Sequence, residues 1–198
     1  MTALDGTNTA SCSIQVTVAN PDVVFAAANT ICIAATTLPV AGSGGCPASA
    51  ATFQQSDWPT IVRTYLGTGK RILLKGNGDI YTGAADASLA VTGPAMIGMY
   101  GSGAKPVIRT TSTTAGASIA KLSGTISDLR LVDLDFDGQS VTSTNAMTAS
   151  GVRATKLLFY RVDIHNIGCG VDIEETQSAT APDSLAFVDS TIQNLNSS

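Results

Sequence analysis

SDLRLVDLDFDG (127–138), TKLLFYRVDIHN (155–166) and DSLAFVDSTIQN (183–194) align with one another without a gap. Leu129, Leu157 and Leu185 head the three segments at a constant spacing of 28 residues, and a constant spacing marks stacked structural repeats. Apolar and polar residues alternate within each segment, as strands require when successive side chains point to opposite faces. Val132, Tyr160 and Val188 form one column, Leu134, Val162 and Ser190 a second, and Phe136, Ile164 and Ile192 a third; these are expected in the interior. The intervening columns, Asp133 with Arg161 and Asp189, Asp135 with Asp163 and Thr191, and Asp137 with His165 and Gln193, are expected to face solvent. Each segment ends on a turn-former, Gly138, Asn166 or Asn194, and shorter matches, GVRA (151–154) and GVDI (170–173), accompany the turns. Two or more strands per repeat, joined by turns, describe the coils of a parallel β-solenoid.

These rungs resemble those of the right-handed parallel β-helix family, the fold of pectate lyases, polygalacturonases and many secreted surface proteins. RILLKGNGDIYTG (71–83) and LAVTGPAMIGMYGSGAKPVIR (89–109) are similar to the entry coils of such proteins, where a basic residue, a Gly-Asp turn and a Gly-x-Gly-x-x-Pro step are common. The likeness covers roughly residues 53–198. It implies an all-β fold, a right-handed parallel β-helix over 22–198 with regular coils at 126–198.

SDWPTIVRTYLG (56–67) carries a helix signature: Ser56 or Asp57 as N-cap, Pro59 in the first turn, Ile61, Val62, Tyr65 and Leu66 on one face, and Gly67 as the stop. A short helix there is expected to cap the N-terminal end of the solenoid, because a terminal repeat otherwise exposes unpaired edges and core. Further strands are expected near 71–75, 88–92, 95–100, 106–110 and 118–122. TNTASCSIQVTVA (7–19) alternates Ile14, Val16 and Val18 against polar neighbours and reads as a strand. It resembles the last strand of immunoglobulin-like repeats of the polycystic-kidney-disease or hyalin-repeat type. Residues 1–21 are therefore expected to be a remnant of a preceding domain, or an edge or donor strand for the solenoid or another copy of the chain. Cys32 and Cys46 bracket a Gly/Ser-rich loop and are expected to form a disulfide. Cys12 is expected to pair outside this chain or to be free, and Cys169 to be a buried small apolar side chain.

Of 198 residues, 44% are hydrophobic and only 13% charged, with 19 glycines and a net charge of −4. Eleven scattered Lys and Arg make no basic stripe, which argues against nucleic acid. The same balance disfavours direct attraction to anionic polysaccharides unless a cation bridges. No apolar run is long enough to span a membrane, and MTALDGTNTA has neither the basic nor the apolar region of a signal peptide. Four cysteines in a chain sparse in Lys and Glu still suggest an oxidising compartment, so the chain is expected to be part of a larger secreted or cell-surface polypeptide.

Residues one coil apart are neighbours at about 4.7–4.9 Å, which places Asp135 beside Asp163 and Asp137 beside His165. Like charges that close raise one pKa or recruit a cation, so Asp135, Asp163 and His165 are the catalytic candidates. Ca²⁺ across Asp135 and Asp163 is the candidate cofactor, able to bind a uronate and acidify its α-proton. Asp137, Arg161 and Lys156 are the substrate-binding candidates. The plainer alternative is a solvated face on which Asp133, Arg161 and Asp189 alternate in sign to relieve repulsion. The motifs of polygalacturonases are absent, His165 is the single histidine, and GTGKR (67–71) is a turn rather than a phosphate loop. Among the aromatic residues, only Tyr81 and Tyr100 remain loose candidates for a sugar platform.

Two functions follow as expectations. One is a secreted module that binds or processes extracellular polysaccharide, in the manner of a lyase or hydrolase if it is an enzyme. The other is a non-catalytic structural or adhesive module that self-associates through its edge strand and open coil ends.

Overall fold

The computed structural model of the chain describes residues 2–4, 9–11, 20–84, 86–150, 153–174 and 185–195. Sixteen strands are present among them: β1 (Thr2–Leu4), β2 (Thr9–Ser11), β3 (Thr30–Ala34), β4 (Ala51–Gln54), β5 (Arg71–Lys75), β6 (Ile80–Gly83), β7 (Ala87–Leu89), β8 (Thr92–Tyr100), β9 (Val107–Thr110), β10 (Ser118–Leu122), β11 (Thr125–Val132), β12 (Asp135–Ser150), β13 (Arg153–Tyr160), β14 (Asp163–Glu174), β15 (Leu185–Val188) and β16 (Thr191–Leu195). Two short α-helices, α1 (Pro21–Val24) and α2 (Trp58–Tyr65), complete the regular structure, with a single turn of 3₁₀ helix at Ala27–Asn29.

Every strand pair from β3 onward is parallel. One sheet runs in the order β4, β3, β5, β8, β11, β13, β15 and forms the first face of a β-solenoid. In the other sheet β12 and β14 are long enough to turn a corner. Their starts pair in the stack β6, β9, β12, β14, β16, the second face, and their ends with β7 and β10, the third. Four coils result, begun by β5, β8, β11 and β13, and β15 with β16 opens a fifth.

The interior is a set of apolar columns. On the first face Ile31, Ile72, Ile97, Leu131, Phe159 and Phe187 lie in register, the last two with rings stacked at 4.4 Å. On the second, Tyr81, Ile108, Phe136, Ile164 and Ile192 do the same. The expected column of Phe136, Ile164 and Ile192 is therefore present; of the column Leu134, Val162 and Ser190, the first two are buried and Ser190 is partly exposed, its hydroxyl accepting from the Val162 N–H.

The third expected interior column is not. Val132, Tyr160 and Val188 point outward, and Leu131 and Phe159 take the inside. The cause is the corner after each first-face strand, where Asp133, Arg161 and Asp189 adopt left-handed φ of 55°, 52° and 49°. One left-handed residue breaks the two-residue alternation, so the side chains on either side of it no longer follow one pattern. The short matches GVRA and GVDI are likewise not equivalent: Arg153 and Ala154 open β13 on the first face, whereas GVDI closes β14 on the third.

The N-terminal end is closed as expected. Asp57 caps α2 by accepting from the Thr60 N–H at 2.9 Å. Trp58, Ile61 and Val62 of α2 are buried in the common core, and the Trp58 indole donates to the Ile119 carbonyl at 2.8 Å. Gly83 permits this seat: a Cβ there would lie 2.1 Å from Pro59 Cδ. Strands appear near each expected position, and β1, β3, β4 and β6 are additional to them. Cys32 and Cys46 form the expected disulfide, buried against Ala50, Leu73 and Tyr100. Thr2–Leu4 and Thr9–Ser11 pair as an antiparallel ladder, while Cys12 and Ile14, Val16 and Val18 lie outside the described residues.

Within one column the cost of truncation should track burial. Phe136→Ala, at 1% exposure, is expected to lose about 3–5 kcal/mol in denaturant unfolding, and Ile192→Ala, at 43%, no more than about 1 kcal/mol. Equal losses at the two positions would contradict the stacked core.

Candidate functional site

The second face carries the expected juxtaposition. Asp135 pairs in register with Asp163, and Asp137 with His165. Period and register extend it one coil further back, to Val107 beside Asp135. Arg109 on β9 then reaches Asp137, with Nε and Nη2 both on Oδ2 at 2.9 and 2.8 Å. Lys105 Nζ binds Asp163 Oδ2 at 2.7 Å. His165 Nε2 meets Asp135 Oδ1 at 2.7 Å, and its Nδ1 meets the Asn166 amide at 2.7 Å, an arrangement that suits a proton on Nε2. Asn166 also donates to Asp137 Oδ1 at 3.2 Å, as does the Gln139 backbone N–H at 3.0 Å.

Each carboxylate thus has a partner of its own. Asp137 is held below the usual carboxylate range: burial pushes it up, but the Gln139 N–H, Asn166 and Arg109 together outweigh burial. Asp135 is shifted the other way, raised by burial that His165 offsets only in part. A calcium ion needs roughly six to eight oxygen ligands. Asp135 and Asp163 already engage His165 and Lys105, and no group of three or more metal-ligating side chains is gathered among the described residues. The donors fit a self-compensated ion-pair ladder better than a calcium shell.

Arg161 and Lys156 belong to a different place. Both stand on the rims of a groove of about 860 Å³ that runs along the outer side of the first face. Its floor is built from outward columns: Arg71, Met96, Arg130, Leu158 and Ala186 in one, Val132 and Tyr160 in the other. Five stacked strands give it a length of about 19 Å. Gly98 leaves a notch in the floor between Leu73 and Val132, where a Cβ would come 2.8 Å from Met96 Cε and 3.6 Å from Val132 Cβ.

The rims are columns of left-handed residues. Asp128 and Lys156, with φ of 49° and 55°, flank one side of the strands, and Asp133 and Arg161 the other. Arg161 binds Asp133 in a fork, with both contacts at 2.6 Å, and lies 4.4 Å over the Tyr160 ring. Arg130 binds Asp128 in a second fork at 2.8 and 3.1 Å. Arg71, nearly buried, reaches Asp22 at 2.6 Å, and Pro21, Asp22, Gly45 and Pro47 wall the N-terminal end. The disulfide secures that wall, because Cys46 is the neighbour of both Gly45 and Pro47.

Comparison with known proteins finds no family model, no curated protein and no solved structure that matches this chain.

Of the residues expected to act, Asp135, Asp137, Asp163 and His165 are brought together, and Arg161 and Lys156 are not placed with them. Tyr81 is fully buried, its hydroxyl donating to the Ile33 carbonyl at 2.9 Å, and Tyr100 is packed beneath the disulfide loop, so neither offers a sugar platform. The aromatic ring at the groove is Tyr160. Sequence reasoning missed Lys105 and Arg109, although Arg109 precedes Asp137 by one period of 28. It also missed the groove floor, whose Met96, Val132 and Tyr160 carry no motif. Cys169 is a partly exposed free thiol rather than a fully buried one.

The two aspartates should respond oppositely to neutralisation. Stability from Asp137 is present above the unfolded carboxylate value of about 3.9 and is lost as pH falls through its lower folded value. For Asp135 the protonated native form is favoured, and that contribution is lost as pH rises through its raised folded value. In urea unfolding at pH 7, Asp137→Asn is expected to cost about 2–3 kcal/mol, and Asp135→Asn to be neutral or stabilising. Destabilisation of the same size in both would contradict the opposed environments.

Proposed function

We propose that this chain is an extracellular β-solenoid module that binds an extended polysaccharide along the first-face groove. The observation that carries the reading is the groove itself: an open trough following the stacking axis, about 860 Å³ in volume, with a floor of Met96, Val132, Leu158 and Tyr160 between polar rims. Ligand sites of this size are mostly apolar with a few fixed polar groups. Sugar rings present both features in reverse, apolar C–H faces and a periphery of hydroxyls. A linear polymer laid along the axis would meet similar outward columns at every coil. The disulfide is consistent with an oxidising setting, and no described helix is long and apolar enough to cross a membrane.

The second-face ladder is assigned a structural part in this reading. Its carboxylates are spoken for by Lys105, Arg109 and His165, so turnover of the polymer is not required of them.

A second reading has its own observation. In the last described coil Leu185, Phe187, Ile192 and Leu195 are 40–50% exposed, which suits a surface that stacks on another copy. Phe187→Asp should then convert concentration-dependent light scattering into that of an invariant species, and a wild-type protein whose scattering mass is constant with concentration rules this reading out.

Affinity electrophoresis through gels containing a panel of soluble polysaccharides tests the first reading. At least one polymer is expected to retard the protein, and Gly98→Leu, which fills the notch against a flexible methionine end, should weaken retardation at least tenfold. Gln193→Ala, exposed on the second face, should leave it unchanged. Retardation untouched by Gly98→Leu would place the binding elsewhere.

A further inference from the structure

We infer that the polymer taken by this groove is uncharged, a neutral polysaccharide bound without a bridging cation. The inference rests on the groove-binding reading and narrows its ligand.

The groove concentrates charge but largely cancels it, with four cationic side chains and three carboxylates, Asp22, Asp128 and Asp133, in its lining. Arg71, Arg130, Lys156 and Arg161 line it, four of the chain's 11 cationic side chains, which at first suggests an anionic ligand. Each of the three arginines is already answered, however: Arg71 by Asp22, Arg130 by Asp128 and Arg161 by Asp133. Two of those pairs are forks in which both carboxylate oxygens are taken. A fork is the geometry in which a guanidinium would grip a carboxylate or sulfate of a ligand, so Asp128 and Asp133 occupy the anion positions themselves.

The rims also alternate in sign from coil to coil. Asp128 is followed by Lys156 on one side, and Asp133 by Arg161 and then Asp189 on the other. Opposite charges one strand spacing apart, about 4.8 Å, largely cancel within a few ångströms and leave at most the charge of Lys156 to draw in a polyanion. A ligand with a negative group at every residue would meet a carboxylate at alternate coils, and like-charge contacts of that kind are repulsive.

A neutral sugar meets the same rims differently. Each hydroxyl both donates and accepts. A guanidinium with N–H groups to spare beside a carboxylate with lone pairs to spare supplies both halves of such a contact, and desolvates no unpaired charge in doing so. The floor then excludes water along one side of the ring, with Met96 and Met99 able to adjust to its shape.

The test uses the intact chain in affinity gels containing a mixed-linkage β-glucan, a mannan and a xylan as neutral probes, and polygalacturonate and alginate as acidic ones. Each gel is run with EDTA at low salt and again at tenfold higher salt. Retardation by at least one neutral polymer, changed less than twofold by salt, is expected, with the acidic polymers at least tenfold weaker. Asp133→Asn, which releases Arg161, should raise retardation by the acidic polymers at least threefold at low salt, and the rise should vanish at high salt. Circular dichroism confirms that this variant is folded; should it not be, Asp128→Asn, releasing Arg130, is read in the same way. Acidic polymers binding as tightly as neutral ones, or binding only when Ca²⁺ replaces EDTA, overturns the inference while leaving a polysaccharide in the groove. Retardation by none of the five overturns the groove-binding reading itself.

Discussion

Inward apolar side chains stacked in register, one coil upon the next, are the constraint on which everything else in this molecule depends. No single coil can bury its own hydrophobic face, so stability is a property of neighbouring coils together. The column from Ile31 through Ile72, Ile97, Leu131 and Phe159 to Phe187 follows from that requirement, as does the one from Tyr81 to Ile192. Once the interior is in register, the exterior has no freedom to be otherwise. Every outward side chain acquires a neighbour about 4.8 Å away whose identity is set a full repeat earlier or later in the chain.

The two described outer faces answer this enforced closeness in different ways. On the second face three aspartates fall within one small area, and their partners come from neighbouring coils: Lys105 and Arg109 from the coil of β9, His165 from that of β14. The result is a compensated ladder that stitches coils together. On the first face Asp128, Asp133, Lys156 and Arg161 sit at the left-handed corners, at the edges of the strands, while Met96, Val132, Leu158 and Tyr160 share the middle with Arg71 and Arg130, whose guanidinium groups reach Asp22 and Asp128. A sheet face with raised polar edges and an apolar centre is a groove. Left-handed φ is tolerated by Asp, whereas at Lys156 and Arg161 it carries a cost of about 1 kcal/mol or more for each, so these corners are positions where backbone geometry and rim charge are set by the same residue.

Irregularity is concentrated at the N-terminal end, and there it serves closure. β4 lies outside β3 at the edge of the first face, α2 drives Trp58 and Ile61 into the core, and Tyr81 ties two coils through its hydroxyl to the Ile33 carbonyl and the Lys75 N–H. The loop held by Cys32 and Cys46 covers the outer side of the same coils and becomes the end wall of the groove. Parts that cap the core thereby also bound the site.

Period alone was enough to place Phe136 over Ile164, Asp135 beside Asp163 and Asp137 beside His165, because a repeat of constant length converts a sequence offset directly into a spatial neighbour. Local chemistry was enough for α2, with its Asp57 cap and amphipathic face, and for the pairing of Cys32 with Cys46. What only the tertiary structure decided is which way the first-face strands present their side chains. A single left-handed residue at Asp133 or Arg161 turns Val132 and Tyr160 from interior to groove floor, and neither residue type announces that conformation. The same holds for Arg109 and Lys105: coils two and three are offset by 34 residues on the first face, at Met96 and Arg130, but by 28 on the second, at Val107 and Asp135, so the neighbours of the cluster depend on where the extra residues are spent. Corners, not strands, carry that information, and their geometry is settled by packing between coils rather than by the residues within one.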